Sequence, residues 1–331
     1  MSSDKTMRAL VLNDYAVSQF KDTEVPRPEA GPGEVLVRIV ASGVNPIDYK
    51  IRTGAAPYAM PELPAILGTD MAGVVEAVGQ GVTEFKPGDE VYGLTGGVRG
   101  LQGSLAEYAS VDPALLALKP KNLSMREAAA IPLTFLTAWE GLVDRAKVSA
   151  GKSVLVQGGA GGVGNMVVQI AAAFGAKVYG TTTDEKRSYV ERFGGTGINY
   201  MTTSVDQYVA EHTEGKGFDI IYDTIGQLDA AFVAIRHYGH IASCAAFQEH
   251  NLALGSLRCM TLSGVFVLYP MLSGEGRAHH GEILREATRL AESGQLKPIV
   301  DERRFTLSEA HAAHDLVESG TSTGKVVIDI A

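Results

Sequence analysis

The stretch Ser153-Val154-Leu155-Val156-Gln157-Gly158-Gly159-Ala160-Gly161-Gly162-Val163-Gly164 decides the fold. A short apolar run of strand character enters a glycine-rich turn, and an Ala/Val-rich segment of helical length, residues 162–174, leaves it. Gly159, Gly161 and Gly164 fit the pattern G-x-G-x-x-G in the context that gives it meaning, after a strand and at the opening of a helix. Bare backbone there turns tightly and approaches a pyrophosphate, while the helix start offers unpaired N–H groups and the positive end of its dipole. A dinucleotide is expected on Gly159, Ala160, Gly161, Gly162, Val163 and Gly164.

Downstream, Lys177–Thr181 reads as a second strand and Asp184–Phe193 as a charged helix. An NAD site places an acid about 20 residues past the glycines, on the ribose hydroxyls. That position falls at Thr182, followed by Thr183, and a threonine hydroxyl can donate to a 2′-phosphate. Lys186 and Arg187 follow as cations able to pair with it. NADPH is therefore the expected cofactor. Asp184 and Glu185 argue the other way: a strand longer by two residues would make Asp184 the ribose acid.

Farther on, runs at 218–224, 230–237, 240–245 and 261–268 continue an alternation of strands and helices, the signature of a doubly wound parallel sheet. Upstream the pattern changes. Arg8–Leu12, Glu34–Val40, Ala72–Val78 and Glu90–Gly93 are short strands between Gly/Pro turns, as in a compact β-barrel. The tail carries helices at 281–292 and 308–318 and a last strand at 325–330, which could return to the β region. The expected class is α/β: a β-barrel domain plus a doubly wound domain.

Composition narrows the function. The formal charge of −9 disfavours nucleic acid as a partner, and 45% hydrophobic residues suit a sizeable core. Cys244 and Cys259 are too few for a disulfide framework or a cysteine metal knuckle, and none of the eight histidines stands at metal-ligand spacing. Residues 1–6 are polar, and no apolar stretch of membrane-spanning length follows. No membrane contact and a cytoplasmic location are expected.

Several ordered segments carry a resemblance: 31–37 (GPGEVLV), 42–48 (SGVNPID), 68–75 (GTDMAGVV), 85–91 (FKPGDEV) and 103–108 (GSLAEY), then the glycine loop. Together they resemble the medium-chain dehydrogenase/reductase superfamily, and within it the zinc-free quinone oxidoreductase-like group. The resemblance implies a GroES-like catalytic domain over residues 1–127 and 269–331, a Rossmann domain over 128–268, and a homodimer or homotetramer. The family's catalytic zinc ligands fall at Asn45, Thr69 and near Leu133, none of which replaces a thiolate or imidazole. Without a Lewis acid to ionise an alcohol, a quinone, enone or enal is the better hydride acceptor.

The same resemblance puts Asn45, Asp48 and Lys50 in the segment lining the nicotinamide and substrate cleft, with Asn45 and Lys50 as candidate donors to a developing oxyanion. The alternative reading of Asp48 is as a cap of the residues that follow. Thr134 and Thr137 match the start of the cofactor domain, Tyr200 a tyrosine that helps hold the 2′-phosphate, and Thr224 the loop after the fourth strand. Phe266, Val267 and Lys325 match late segments that approach the nicotinamide. Two alternatives stand beside this reading: an enoyl-thioester reductase, prompted by Arg52, Arg99 and Arg258, and a non-catalytic NADPH-binding sensor.

Overall fold

The computed structural model describes residues 5–330, so the polar start at residues 1–4 lies outside it. The chain divides into two compact units, Met1–Leu133 with Leu268–Ala331, and Thr134–Val267. The first begins with β1 (Thr6–Leu12), β2 (Phe20–Pro26), β3 (Val35–Gly43), helix α1 (Pro46–Arg52), β4 (Ala65–Ile66), β5 (Asp70–Val78), β6 (Glu90–Leu94), β7 (Tyr108–Val111) and β8 (Leu116–Leu118). Helix α2 (Met125–Ala129) follows, and α3 (Pro132–Trp139) leads into the second unit. In β3, Val35, Val37 and Ile39 are all fully buried, as their alternation requires. Strands β3 and β5 pair antiparallel from Val35↔Val78 to Gly43↔Asp70, which brings residue 70 to the start of the turn that carries α1.

The second unit alternates strictly. It contains β9 (Ser153–Gln157), α4 (Gly162–Ala173), β10 (Lys177–Thr182), α5 (Ser188–Glu191), β11 (Thr196–Asn199), α6 (Val205–Thr213), β12 (Phe218–Asp223), α7 (Leu228–Ala234), β13 (Ile235–Ser243), α8 (Ala253–Leu257) and β14 (Thr261–Gly264). All neighbours pair parallel, in the order β11-β10-β9-β12-β13-β14. Counted within the unit this is 3-2-1-4-5-6, the doubly wound order whose direction reverses between the first and fourth strands. Leu155, Phe218, Ile221, Phe232 and Ile241 are buried at the centre of its core.

The chain then returns to the first unit with α9 (Tyr269–Ser273), α10 (Arg277–Glu292), β15 (Phe305–Thr306), α11 (Ala310–Glu318) and β16 (Val327–Asp329). Strand β16 pairs antiparallel with β3, at Val327↔Gly43 and Ile328↔Ser42. This delivers residue 325 beside residues 44 and 45.

Some expected elements are redrawn. The charged helix at 184–193 is a 3-10 turn over Asp184–Lys186 joined through Arg187, itself in helical geometry, to the short helix α5. The run at 261–268 is strand only as far as Gly264. The helix expected from residue 281 starts at Arg277, and the last helix opens with a 3-10 turn at Leu307–Glu309.

Candidate functional site

In the second unit the glycine loop leaves β9 at the point where the strand order reverses. Gly158 has φ +78°, a left-handed conformation that favours glycine. Its N–H donates to Thr181 Oγ1 at 3.0 Å, Gly159 N to Thr181 O at 3.0 Å, and Gly161 N to Gly158 O at 2.9 Å. A Cβ on Gly164 would stand 2.1 Å from Gly158 O, so only glycine allows α4 to start this close to the strand end. Gly162, Val163 and Gly164 open α4, and first-turn amides have no partner within a helix. Gly161 and Gly162 are exposed, and Ala160 and Val163 half-buried, so the cradle offers bare main chain.

The other residues expected around it gather there. A Cβ on Gly162 would lie 3.4 Å from Thr134 Cγ2, and one on Gly158 would lie 2.6 Å from Thr224 Oγ1. Thr224 Oγ1 donates to Gln157 O at 2.7 Å. Asp223 fixes the next loop by accepting from the N–H groups of Ile225, Gly226 and Gln227 at 3.1, 2.9 and 3.0 Å. Phe266 is 39% exposed just past β14, whereas Val267 is buried.

Strand β10 ends at Thr182, one residue past the expected Thr181 and short of Asp184. Thr182 is buried and its Oγ1 has no hydrogen-bond partner among the described residues. An orphaned hydroxyl of this kind fits a ligand oxygen beside it. Thr183 follows, Lys186 is exposed, and Tyr200, with its N–H on Thr182 O at 3.3 Å, leaves a 55% exposed side chain at the same strand end. Arg187 differs from expectation: its guanidinium is already 2.9 Å from Asp184. The bare cradle, the orphaned Thr182 hydroxyl and the free helix start fit a nicotinamide dinucleotide.

In the first unit, residues expected to be catalytic form a buried polar network. Asn45 is the N-cap of α1, with Pro46 in the first helical position, where its missing N–H costs nothing. Asp48 Oδ2 accepts from Asn45 N at 2.7 Å and from Thr69 Oγ1 at 3.3 Å. Asn45 Nδ2 donates to Thr69 Oγ1 at 3.0 Å and to Asp70 Oδ2 at 2.8 Å. Asp70 Oδ1 accepts from Leu133 N at 2.9 Å. Lys325 Nζ donates to Val44 O at 2.9 Å and to Asn45 Oδ1, and it lies 3.3 Å from Asp70 Oδ2.

Asn45, Asp48, Thr69 and Asp70 are all at most 1% exposed. Burial pushes the Asp48 carboxyl up to about 7, and the charge of Asp70 adds to the effect. Burial also raises Asp70 and lowers Lys325, while their mutual attraction opposes both shifts. Asp48 Oδ1 is buried without a partner among the described residues, which disfavours the charged form.

Two expected roles change. Both N–H bonds of the Asn45 amide are committed and the side chain has no exposed surface, so it has none left for a substrate oxygen. It is a fastener of this network. Asp48, at the third helical position, closes the capping box of α1 by accepting from Asn45 N. Lys50 lies two residues beyond Asp48, roughly 200° around the helix. It is exposed, outside the network, and its ammonium has no ion-pair partner among the described residues. Sequence reasoning had left Asp70 without a role; its only signal was an acid next to Thr69, and its burial could not be read from one chain.

Zinc does not fit this donor set. Asn45 and Thr69 offer neutral oxygens, and an ammonium sits against Asp70 where a cation would have to bind. Among the described residues no three His, Cys, Asp or Glu side chains are grouped to hold a metal ion. Two of the three arginines that prompted a thioester entrance, Arg52 and Arg99, are also occupied. Arg52 is buried on Asp315 at 2.9 Å, and Arg99 donates to Tyr58 O at 3.1 and 3.2 Å. An open groove of about 740 Å³ between residues 57–66 and 99–102 contains none of the network residues.

Comparison with known proteins agrees with this architecture. The alcohol dehydrogenase GroES-like domain matches residues 31–121, and the zinc-binding dehydrogenase domain matches residues 196–328. The 2-methylene-furan-3-one reductase of Solanum lycopersicum is 37% identical over 341 residues, covering 99% of this chain and 80% of that protein. The chloroplastic NADPH-dependent alkenal/one oxidoreductase of Arabidopsis thaliana is 36% identical over 339 residues, with the same coverage of 99% and 80%. A crystal structure of an alcohol dehydrogenase superfamily protein from Novosphingobium aromaticivorans matches with a TM-score of 0.96 at 49% identity, over 98% of this chain and 100% of that one. With a glycine cradle in one unit, a cap-and-lysine network in the other and relatives along its whole length, this chain is an oxidoreductase of the medium-chain dehydrogenase/reductase superfamily.

Proposed function

We propose that this protein uses NADPH, without a metal, to reduce a conjugated carbonyl compound: an enone, an enal or a quinone. The observation that carries the reading is the buried network of Asn45, Thr69, Asp70 and Lys325, in which a lysine ammonium supplies the positive charge. A site so built has no Lewis acid with which to ionise an alcohol. A conjugated acceptor needs none, because the negative charge arriving with hydride spreads onto its oxygen. The names of the two plant relatives, one an alkenal/one oxidoreductase and the other a 2-methylene-furan-3-one reductase, support the same substrate class.

The cofactor, when bound, supplies the hydride. The chain's part is to hold it and to meet the new charge. The open amides at the start of α4 take the pyrophosphate. Thr182, Thr183, Lys186 and Tyr200 surround the 2′-phosphate, with the Lys186 ammonium, which has no ion-pair partner among the described residues, as its main countercharge. Lys50, exposed and without an ion-pair partner among the described residues, is the donor for the substrate oxygen, and Lys325 and Asn45 hold the start of α1 so that Lys50 is presented from a fixed helix.

The test is NADPH oxidation by the purified chain against quinones, short enals and enones, and enoyl thioesters. Turnover of the first two groups with a clear preference for NADPH over NADH is expected. Lys50→Met should lower kcat about tenfold or more with little change in NADPH affinity. Turnover confined to thioesters would replace the substrate assignment. Tight NADPH binding with no turnover across the panel would make the protein a sensor instead.

A further inference from the structure

The acid nearest the ribose position is tied down. Asp184 lies just beyond β10, and both of its carboxylate oxygens are engaged. Oδ2 accepts from Asn199 Nδ2 at 2.6 Å, and Oδ1 from Arg187 Nη2 at 2.9 Å. Asn199 is the last residue of β11, in register with Thr182 and 8% exposed. Its own Oδ1 accepts from Met201 N at 2.9 Å, so the amide is fixed at both ends. The Asp184 side chain is 65% exposed, and packing does little to restrain it.

We propose that Asn199, with Arg187, forms a clasp that keeps Asp184 away from the adenosine ribose, making Asn199 a determinant of the preference for the 2′-phosphorylated cofactor. This rests on the NADPH reading above. A carboxylate free at the end of this strand accepts hydrogen bonds from both ribose hydroxyls and repels a phosphate, which is how NAD sites of this fold select their cofactor. Here each oxygen of Asp184 already accepts one hydrogen bond, from an amide and from a guanidinium, which fixes the direction of the carboxylate, and the guanidinium offsets its charge. Asn199 is the fixed anchor of the two, because it sits in the sheet whereas the Arg187 side chain is 42% exposed. What remains facing the ribose is the hydroxyl pair of Thr182 and Thr183, the Lys186 ammonium and the Tyr200 side chain.

Asn199→Ser is the informative change. Its hydroxyl is close enough to serve Met201 N and too short to reach Asp184. Equilibrium fluorescence titration of the full chain gives Kd for NADPH and NADH in the wild type, in N199S and in N199S/D184N. The wild type should bind NADH at least tenfold more weakly than NADPH. N199S should tighten NADH about tenfold, or about 1.4 kcal/mol, and the double variant should return NADH binding to the wild-type value. A merely structural role for Asn199 would weaken both cofactors together. Should N199S not fold, Arg187→Gln frees the acid from the other side at the surface and should also tighten NADH. NADH binding that is unchanged or weaker in the folded variant, or a gain that persists without Asp184, overturns the clasp. A wild type that prefers NADH overturns the cofactor reading and the clasp with it, whereas a wild type that prefers NADPH beside an unaltered N199S overturns the clasp alone.

Discussion

A buried carboxyl with one oxygen hydrogen-bonded and the other sealed off without a partner is poised between its two forms. Asp48 is in that position: Oδ2 closes the capping box of α1 and Oδ1 has no donor among the described residues. Its folded-state value of about 7 stands above the 3.8 of the free side chain. Between those values the folded protein holds a proton that the unfolded chain has released, so stability is greatest at low pH within this window and falls as pH rises toward 7. From pH 5 to pH 8 this one group should cost about 2–3 kcal/mol. Asp48→Asn keeps an acceptor for Asn45 N and adds no charge. Urea unfolding at both pH values should therefore show a smaller loss in D48N than in the wild type, by about that amount. Equal losses in the two proteins would mean that Asp48 ionises normally. The sequence placed Asp48 at a helix start, where capping is ordinary chemistry; that the cap was also buried beside a second acid depended on β5 and β16, which are distant in the chain.

At the scale of elements, the glycine loop was legible because its constraints are local. A strand, a turn that demands bare backbone and a helix must follow one another, and Ser153–Gln157 and Gly162–Ala173 fall where the sequence put them. Elements that failed to show had weak local signals or were decided by distant partners. Strand β11 is only Thr196–Asn199 and contains a glycine, so its strand character comes from pairing with β10. The expected helix from Asp184 is helical through this stretch but opens as a 3-10 turn, with Arg187 in helical geometry joining it to α5. Helix α6 did have a signal: Ser204 and Gln207 form the capping pair S-x-x-Q, with Ser204 N donating to Gln207 Oε1 at 2.8 Å. The prediction at this scale concerns Gly164. Its added Cβ would meet the Gly158 carbonyl at 2.1 Å, backbone against backbone, so the start of α4 must move away from the loop. Overpacking of this kind costs about 1–3 kcal/mol. Gly164→Ala should lower Tm by a few degrees and weaken NADPH binding at least tenfold, with the circular dichroism spectrum retained. Wild-type affinity in G164A would show that the loop tolerates a side chain and that the cradle is looser than its geometry.

Across the whole molecule, two different kinds of information fix the two units. The parallel sheet of residues 134–267 follows from a strict alternation of strands and helices, which a periodicity reading captures, while its order 3-2-1-4-5-6 comes from the structure. The mixed sheet of the other unit, β15-β16-β3-β5-β6-β8 with β7 on β3, joins strands from both ends of the chain, and no local pattern dictates those pairings. The buried network depends on them, since Asn45, Asp70 and Lys325 meet only when β16 lies along β3 and β5 along its other side. The sequence could say that thiolate and imidazole are missing from the ligand positions; it could not say that a lysine from the far end of the chain supplies the charge there. That charge gives a prediction for the molecule as a unit. Lys325 and Asp70 neutralise each other inside the protein, so the fold has no need of a divalent ion to offset a buried carboxylate. Exhaustive dialysis against a strong chelator should therefore leave both Tm and NADPH-dependent turnover unchanged, and elemental analysis should find well under one transition-metal ion per chain. A drop in turnover that added zinc restores would mean that a metal enters despite the ammonium, and the proposed chemistry would have to be rebuilt around it.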